Sequence, residues 1–143
     1  MGKEVRIQTK PVDPRDLLYG DYVILNYEIS QLPRSLWKEA GAVPDEGTTV
    51  YVVLKPDPAK NNRIYSAIGV YDKKPSVQSD EILLKGRIDY SFDKQLNVTY
   101  GLEKYYVPEN TGKQLEQHTG DLIAKIKVAW GRSVIQELEL PTP

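Results

Sequence analysis

Apolar and polar residues alternate with a period of two through most of the chain, which predicts a mainly β protein. Val5, Ile7 and Thr9 start the pattern close to the N-terminus. Between Gly20 and Ile29, Val23, Leu25, Tyr27 and Ile29 share one face, and Tyr22, Ile24, Asn26 and Glu28 take the other. Thr49 to Lys55 is a continuous apolar run and reads as a central strand; Arg63 to Tyr71 is a further candidate. Ile82 to Phe92 alternates well from Leu84, with Leu84, Ile88, Tyr90 and Phe92 opposite Lys85, Arg87, Asp89 and Ser91. A short connection then leads into Leu96 to Leu102, so the two segments read as a β-hairpin. Leu122 to Trp130 places Lys125 and Lys127 outward, and Ser133 to Leu140 places Glu137 and Glu139 outward, which suits cross-strand charge pairing.

Helical signals are weak. Pro33 to Ala40 has room for about two turns before Gly41. Thr111 to His118 carries a Thr111-x-x-Gln114 capping pattern and stops at Gly120. The ten prolines punctuate loops and mark no linker between domains. The expected architecture is one domain, residues 1–143, built as an antiparallel β-sandwich or a curved, barrel-like sheet with one or two short helices. Its expected core includes Val23, Leu25, Ile29, Val50, Val52, Leu54, Ile64, Ile68, Leu84, Ile88, Val98, Ile126, Val128 and Leu138.

Composition narrows the function classes. The 143 residues suffice for a real core, since a chain near this size buries roughly two-thirds of its unfolded surface. Nineteen basic and twenty acidic residues leave a net charge of −1, which argues against a polybasic nucleic-acid arm. With no cysteine there are no disulfides, thiolate nucleophiles or Cys-ligated metals, and a single histidine excludes a two-His metal site. No metal and no cofactor is therefore expected. No apolar run approaches the length of a membrane span. The first ten residues lack the apolar core of a signal peptide. A Met-Gly start leading directly into a strand suits a trimmed piece of a longer protein and a native start equally. One oddity remains: ten tyrosines against one phenylalanine.

Two blocks concentrate the unusual chemistry. The first is Pro11-Val-Asp-Pro-Arg-Asp16 followed by Gly20-Asp-Tyr-Val-Ile-Leu-Asn-Tyr27. The second is Tyr100-Gly-Leu-Glu-Lys-Tyr-Tyr-Val-Pro-Glu109, with Glu116 beyond it. Together these blocks resemble the bacterial GDYXXLXY proteins, whose signature matches Gly20 to Tyr27 and whose later motif is similar to the second block. That resemblance spans almost the whole chain. It implies a domain that in full-length members follows an N-terminal membrane segment and has no established biochemical activity. It further implies an extracytoplasmic location for the full-length protein, with this chain itself a soluble domain.

The blocks also have a reading of their own. Pro14 fixes φ in a turn where Asp13 and Asp16 can accept backbone N–H bonds, and Asp21 can hold loop amides or pair with Arg15. The block is then either a stabilised strand start or the rim of a polar pocket formed by Arg15, Asp16 and Asp21. Glu103, Glu109 and Glu116 lie near Tyr100, Tyr105 and Tyr106. A pair of such acids suits general acid–base chemistry or a hard cation, but the spacing fits no calcium loop. The plainer reading is a structural ion pair, Glu103–Arg87 or Glu103–Arg15. His118 has no serine nucleophile in a G-x-S-x-G elbow to serve. A loose likeness of Asp13-Pro14 and Gly20-Asp21 to the strand start of type I signal peptidases fails for want of the serine.

The candidate polar network is accordingly Asp13, Arg15, Asp16, Asp21, Tyr22, Tyr27, Arg87, Glu103, Tyr106, Glu109 and Glu116, with no residue assigned a catalytic role. Counting Tyr19, just ahead of Gly20, with the first block, six of the ten tyrosines fall in the two blocks, and a buried tyrosine needs a partner for its hydroxyl. The blocks are therefore expected to pack together as a tyrosine–carboxylate–arginine network. Two functions follow. The first is a non-catalytic envelope domain that binds an envelope or membrane protein and no nucleic acid. The second is a hydrolase acting through Asp16, Asp21, Glu103 and Glu109, which requires two of these acids to converge in one cleft.

Overall fold

The computed structural model describes residues 2–10, 18–19, 22–39, 41, 44–92, 95–106, 122–129 and 132–139. Within them lie eleven strands: β1 (Lys3–Gln8), β2 (Leu18–Tyr19), β3 (Tyr22–Ile24), β4 (Gln31–Pro33), β5 (Thr49–Pro56), β6 (Tyr65–Tyr71), β7 (Ile82–Phe92), β8 (Gln95–Thr99), β9 (Lys104–Tyr106), β10 (Ile123–Ala129) and β11 (Arg132–Glu139). They form a five-stranded sheet in the order β4-β8-β7-β5-β6, a three-stranded sheet β1-β10-β11, and a small sheet β2-β3-β9. Adjacent strands run antiparallel throughout. Neither larger sheet closes on itself among the described residues, so the mainly β fold is sandwich-like rather than a closed barrel.

One core fills the space between the sheets. Val5, Ile7, Ala124 and Ile126 enter it from the three-stranded sheet, and Val50, Val52, Leu54, Val70, Leu84, Ile88 and Val98 from the five-stranded sheet. Each such Val, Leu or Ile contributes roughly 1.5–3 kcal/mol through removal from water. β7 and β8 pair antiparallel as expected, with Ile88 opposite Val98, but a bulge at Asp89 sets Tyr90 opposite Asn97, and Asn97 is buried along with Leu96 and Val98. On the outer face of the smaller sheet, Lys125 pairs with Glu137 at 3.1 Å. Glu139 reaches across β10 to Arg6, whose Nε lies 2.7 Å from it. The charge pairing across β10 and β11 is thus partly as expected, with Arg6 as the additional partner.

Several expectations are corrected. Ile68 is not core: it is 40% exposed. It is the extra residue of a β-bulge, because Val53 faces Gly69 while Leu54 faces Ala67, and a bulge breaks the two-residue alternation. Val128 and Leu138 are half-buried at the margin of the core. The two-turn helix expected over 33–40 does not form across the described residues 33–39. A single 3-10 turn, Arg34–Leu36, is followed by Trp37, which bridges Val70. The Lys38 amide donates to the Val70 carbonyl, so pairing with the edge of β6 displaces helix continuation. The candidate helix at 111–118, with His118, and the side chain of Val23 lie outside the described residues.

The segment from residue 20 to 29 is not one strand. Its face pattern holds, with Leu25, Tyr27 and Ile29 buried and Asn26 and Glu28 exposed. Its pairing changes, and changes again just beyond it at Gln31. β3 pairs with β9, Tyr27 bridges Thr9, and a 3-10 turn at Glu28–Ser30 leads into β4, which pairs with β8. Ser30 makes that turn: its hydroxyl accepts from the Tyr27 amide at 3.1 Å, and its own amide donates to the Tyr27 carbonyl at 3.0 Å.

Candidate functional site

The two tyrosine-rich blocks meet in a seam. In the small sheet Tyr22 lies opposite Tyr106, Val23 opposite Tyr105 and Ile24 opposite Lys104. One more bond extends the pairing, from the Leu25 amide to the Glu103 carbonyl at 2.7 Å. Beyond it the chains exchange tyrosines. The Tyr27 hydroxyl donates to the Leu102 carbonyl, and the Tyr100 hydroxyl donates to the Ile29 carbonyl at 2.6 Å. Both rings are buried, which satisfies the rule that a buried phenol finds an acceptor. Burial raises both phenol pKa values above the ordinary tyrosine range, and the nearby Glu103 carboxylate raises them further.

Glu103 has a specific task. Its Oε2 accepts from the Tyr100 amide and its Oε1 from the Gly101 amide, each at 3.0 Å. Gly101 has a φ of +81°, a conformation that glycine adopts at little cost. The carboxylate therefore caps the turn that aims the Tyr100 ring into the core. Gly86 makes room for that ring. A Cβ there would fall 2.6 Å from Val98 Cγ1 and 3.1 Å from Tyr100 Cδ1.

The two blocks meet, with partners other than those of the expected network. Tyr27 and Glu103 are at the seam, but the Tyr27 and Tyr100 hydroxyls use backbone carbonyls where carboxylates and guanidiniums are expected. Among the described residues no ion pair joins Glu103 to Arg87; both line one groove. Tyr106 is largely exposed beside a smaller hollow next to that groove, and Tyr22 is placed by its backbone pairing alone. Asp13, Arg15, Asp16, Asp21, Glu109 and Glu116 lie outside the described residues.

The groove is open, about 630 Å³ in volume, and runs between β7, the Tyr100–Glu103 turn and the start of β11. Among the described residues Lys85, Arg87 and Arg132 line it with three positive charges against the single carboxylate of Glu103. The hydroxyl-bearing side chains of Thr49, Thr99 and Ser133 add polar character, and Val134, 58% exposed, adds an apolar surface. It continues past Gly101 and Val134 into a smaller hollow bordered by Tyr105, Tyr106 and Ile135. On the other side of Glu103 lies a polar hollow of about 240 Å³ that also touches Asn26, Asp89 and Asn97. Among the described residues no cluster of acids or histidine could hold a metal ion.

Arg132, Lys85 and Ser133 belong to this groove and were not among the candidates. The sequence signal is faint: Lys85 and Arg87 sit two apart on the outward face of β7. Nothing in the sequence places the start of β11 beside them.

A family model described as GDYXXLXY protein matches residues 1–138. No curated protein and no solved structure matches the chain. The two motif blocks paired in one seam, and a match over nearly the full length, establish that the chain belongs to the GDYXXLXY family.

Proposed function

We propose that this chain is a non-catalytic binding domain that stands, in the full-length protein, behind an N-terminal membrane anchor outside the cytoplasm and engages an envelope or membrane protein. The observation that carries this reading is the state of Glu103. Both of its carboxylate oxygens are held by backbone amides, so the described acid nearest the groove is spent on a turn. A carboxylate hydrolase needs an acid free to exchange protons with substrate. What lines the groove instead is cationic, hydroxylic and apolar, which is recognition chemistry. Family membership supports the anchor, since GDYXXLXY proteins typically carry a membrane segment ahead of this domain. Among the described residues no helix is long and apolar enough to cross a membrane, and the proposed anchor is a segment ahead of Lys3.

The test is capture from a detergent-solubilised bacterial envelope fraction with the tagged domain, together with assays on chromogenic glycoside and ester substrates. The expected result is one envelope protein retained above a tag-only control, with no hydrolysis. Retention of nothing by a folded domain overturns the reading. So does hydrolysis that disappears in Glu103→Gln.

A further inference from the structure

We infer that the groove beside Glu103 receives an extended acidic segment of a partner protein, which adds to the free rim of β11 and sets its carboxylates against Lys85, Arg87 and Arg132. The inference rests on the binding reading above and gives that site a ligand class. Two independent features lead to it.

The first is the rim. Successive side chains of a strand point to opposite faces, so a groove bordered by one face touches alternate residues. This groove and its continuation touch Arg132, Ser133, Val134 and Ile135 in succession. They therefore run along the edge of β11, where the backbone groups point. β11 is the terminal strand of its sheet, and among the described residues nothing pairs with its outer side. Such an edge is a template for an added strand, in which main-chain bonds supply affinity and side-chain contacts supply specificity.

The second is charge. Lys85, Arg87 and Arg132 converge on the groove, and among the described residues none of them has a carboxylate partner. Unpaired surface cations are ordinary when scattered; three around one groove in a protein of net charge −1 are a local field of one sign. Among the described residues the only acid lining the groove, Glu103, has its oxygens turned to backbone amides. Cations alone would suit any anion. The strand rim and the exposed Val134 favour a polypeptide with acidic and apolar residues in alternation. A second copy of this chain fits less well, because the acids of its own β11 are engaged, Glu137 by Lys125 and Glu139 by Arg6.

The probe is an eight-residue peptide of alternating glutamate and valine, matched to the eight residues of β11. Its lysine–valine counterpart and inorganic phosphate are the controls. The expected result is saturable binding of the acidic peptide, weakened by salt, with slowed amide exchange within residues 132–135. Arg87→Glu combined with Arg132→Glu, both at exposed positions, is expected to weaken binding at least tenfold while the rest of the amide spectrum stays in place. Should that pair perturb the fold, Lys85→Gln and Arg132→Gln as single changes are expected to weaken it at least twofold each. Equal binding of the lysine peptide, an unchanged affinity in the variants, or acidic-peptide binding without protection of β11 overturns the inference. Protection of β11 by self-association at rising protein concentration does so too. If envelope capture by the intact domain persists in the double variant, the inference falls and the binding reading stands. Failure of the binding reading shows differently, as an intact domain that retains no envelope protein.

Discussion

Tyr27 and Tyr100 reach past each other across one seam: the first donates its hydroxyl to the Leu102 carbonyl, the second to the Ile29 carbonyl. Each block of the family signature thus supplies a ring to the core and a carbonyl to the other block's ring. Removing either hydroxyl leaves a buried carbonyl unpaired, which costs about 1–3 kcal/mol. Tyr27→Phe and Tyr100→Phe are each expected to lower the free energy of urea unfolding by that amount. Tyr51→Phe, at a half-buried strand position, is the control and is expected to stay within about 0.5 kcal/mol. Loss no greater than the control in both seam variants would refute the account of the seam.

The same pair predicts alkaline sensitivity. Both phenols have folded pKa values above their ordinary value of 10.0, through burial first and the Glu103 charge second. A folded pKa above the unfolded one means the stabilisation is complete below pH 10 and declines as pH rises through the folded values. Unfolding titrations are therefore expected to show a decline in stability above pH 10 to which these two phenols contribute. Tyr27→Phe and Tyr100→Phe each flatten that decline. In ultraviolet titration the tyrosinate signal is expected to reach full amplitude only as the fold is lost; full ionisation of a native protein contradicts this.

Glu103 acts as a turn cap. Glu103→Ala strips two backbone amides of their acceptor and is expected to cost about 1 kcal/mol, within the range of a lost helix cap. Glu103→Gln keeps one acceptor oxygen and is expected to cost less. Gly101→Ala meets no atom within 4 Å, so its cost is conformational, about 1–2 kcal/mol from the left-handed φ. Chemical denaturation of the three variants ranks them, and Glu103→Gln as the most damaging would contradict the cap.

Gly86→Ala tests the space behind the Tyr100 ring. The added methyl would meet Val98 Cγ1 at 2.6 Å and the Thr99 carbonyl oxygen at 3.1 Å. Part of that contact is backbone, so relief is limited, and overpacking is expected to cost about 1–3 kcal/mol. Nuclear magnetic resonance is expected to show the largest shifts at Tyr100 and Ile29. A neutral change in stability without those shifts would mean that the site is not close-packed.

What the chain reveals about itself follows from how far a pattern's cause lies along it. β7 is legible because it buries every second residue from Ile82 to Ile88, so Leu84 and Ile88 emerge where alternation puts them, and β5 is legible because its apolar run is buried almost continuously, as a central strand requires. Ile68 misleads because the bulge between Val53 and Leu54 is a property of two paired strands and leaves no mark on one of them. Residues 24–29 keep their alternation while the pairing passes from β9 to Thr9, and alternation records burial but not the identity of a neighbour. Tyr27 and Glu103 were legible as members of a meeting site because their residue types are unusual in their blocks. Arg132 and Lys85 were not, since exposed basic residues are common and the approach of β11 to β7 is set by the packing of whole sheets.

The seam also sets an order of events. Tyr27 and Leu102 are separated by 75 residues, and β1 finds β10 across most of the chain. Closing so long a loop sacrifices chain entropy before any contact repays it, whereas the β7–β8 and β10–β11 hairpins close locally. Folding is therefore expected on the slow scale of non-local β proteins, roughly milliseconds to seconds, with the tyrosine exchange completed after the rate-limiting step. Tyr100→Phe is then expected to accelerate unfolding and leave refolding nearly unchanged in stopped-flow measurements. A slowed refolding arm would instead put the seam in the nucleus. The two halves of the family signature, on the expected order, join only when the rest of the sandwich is already in place.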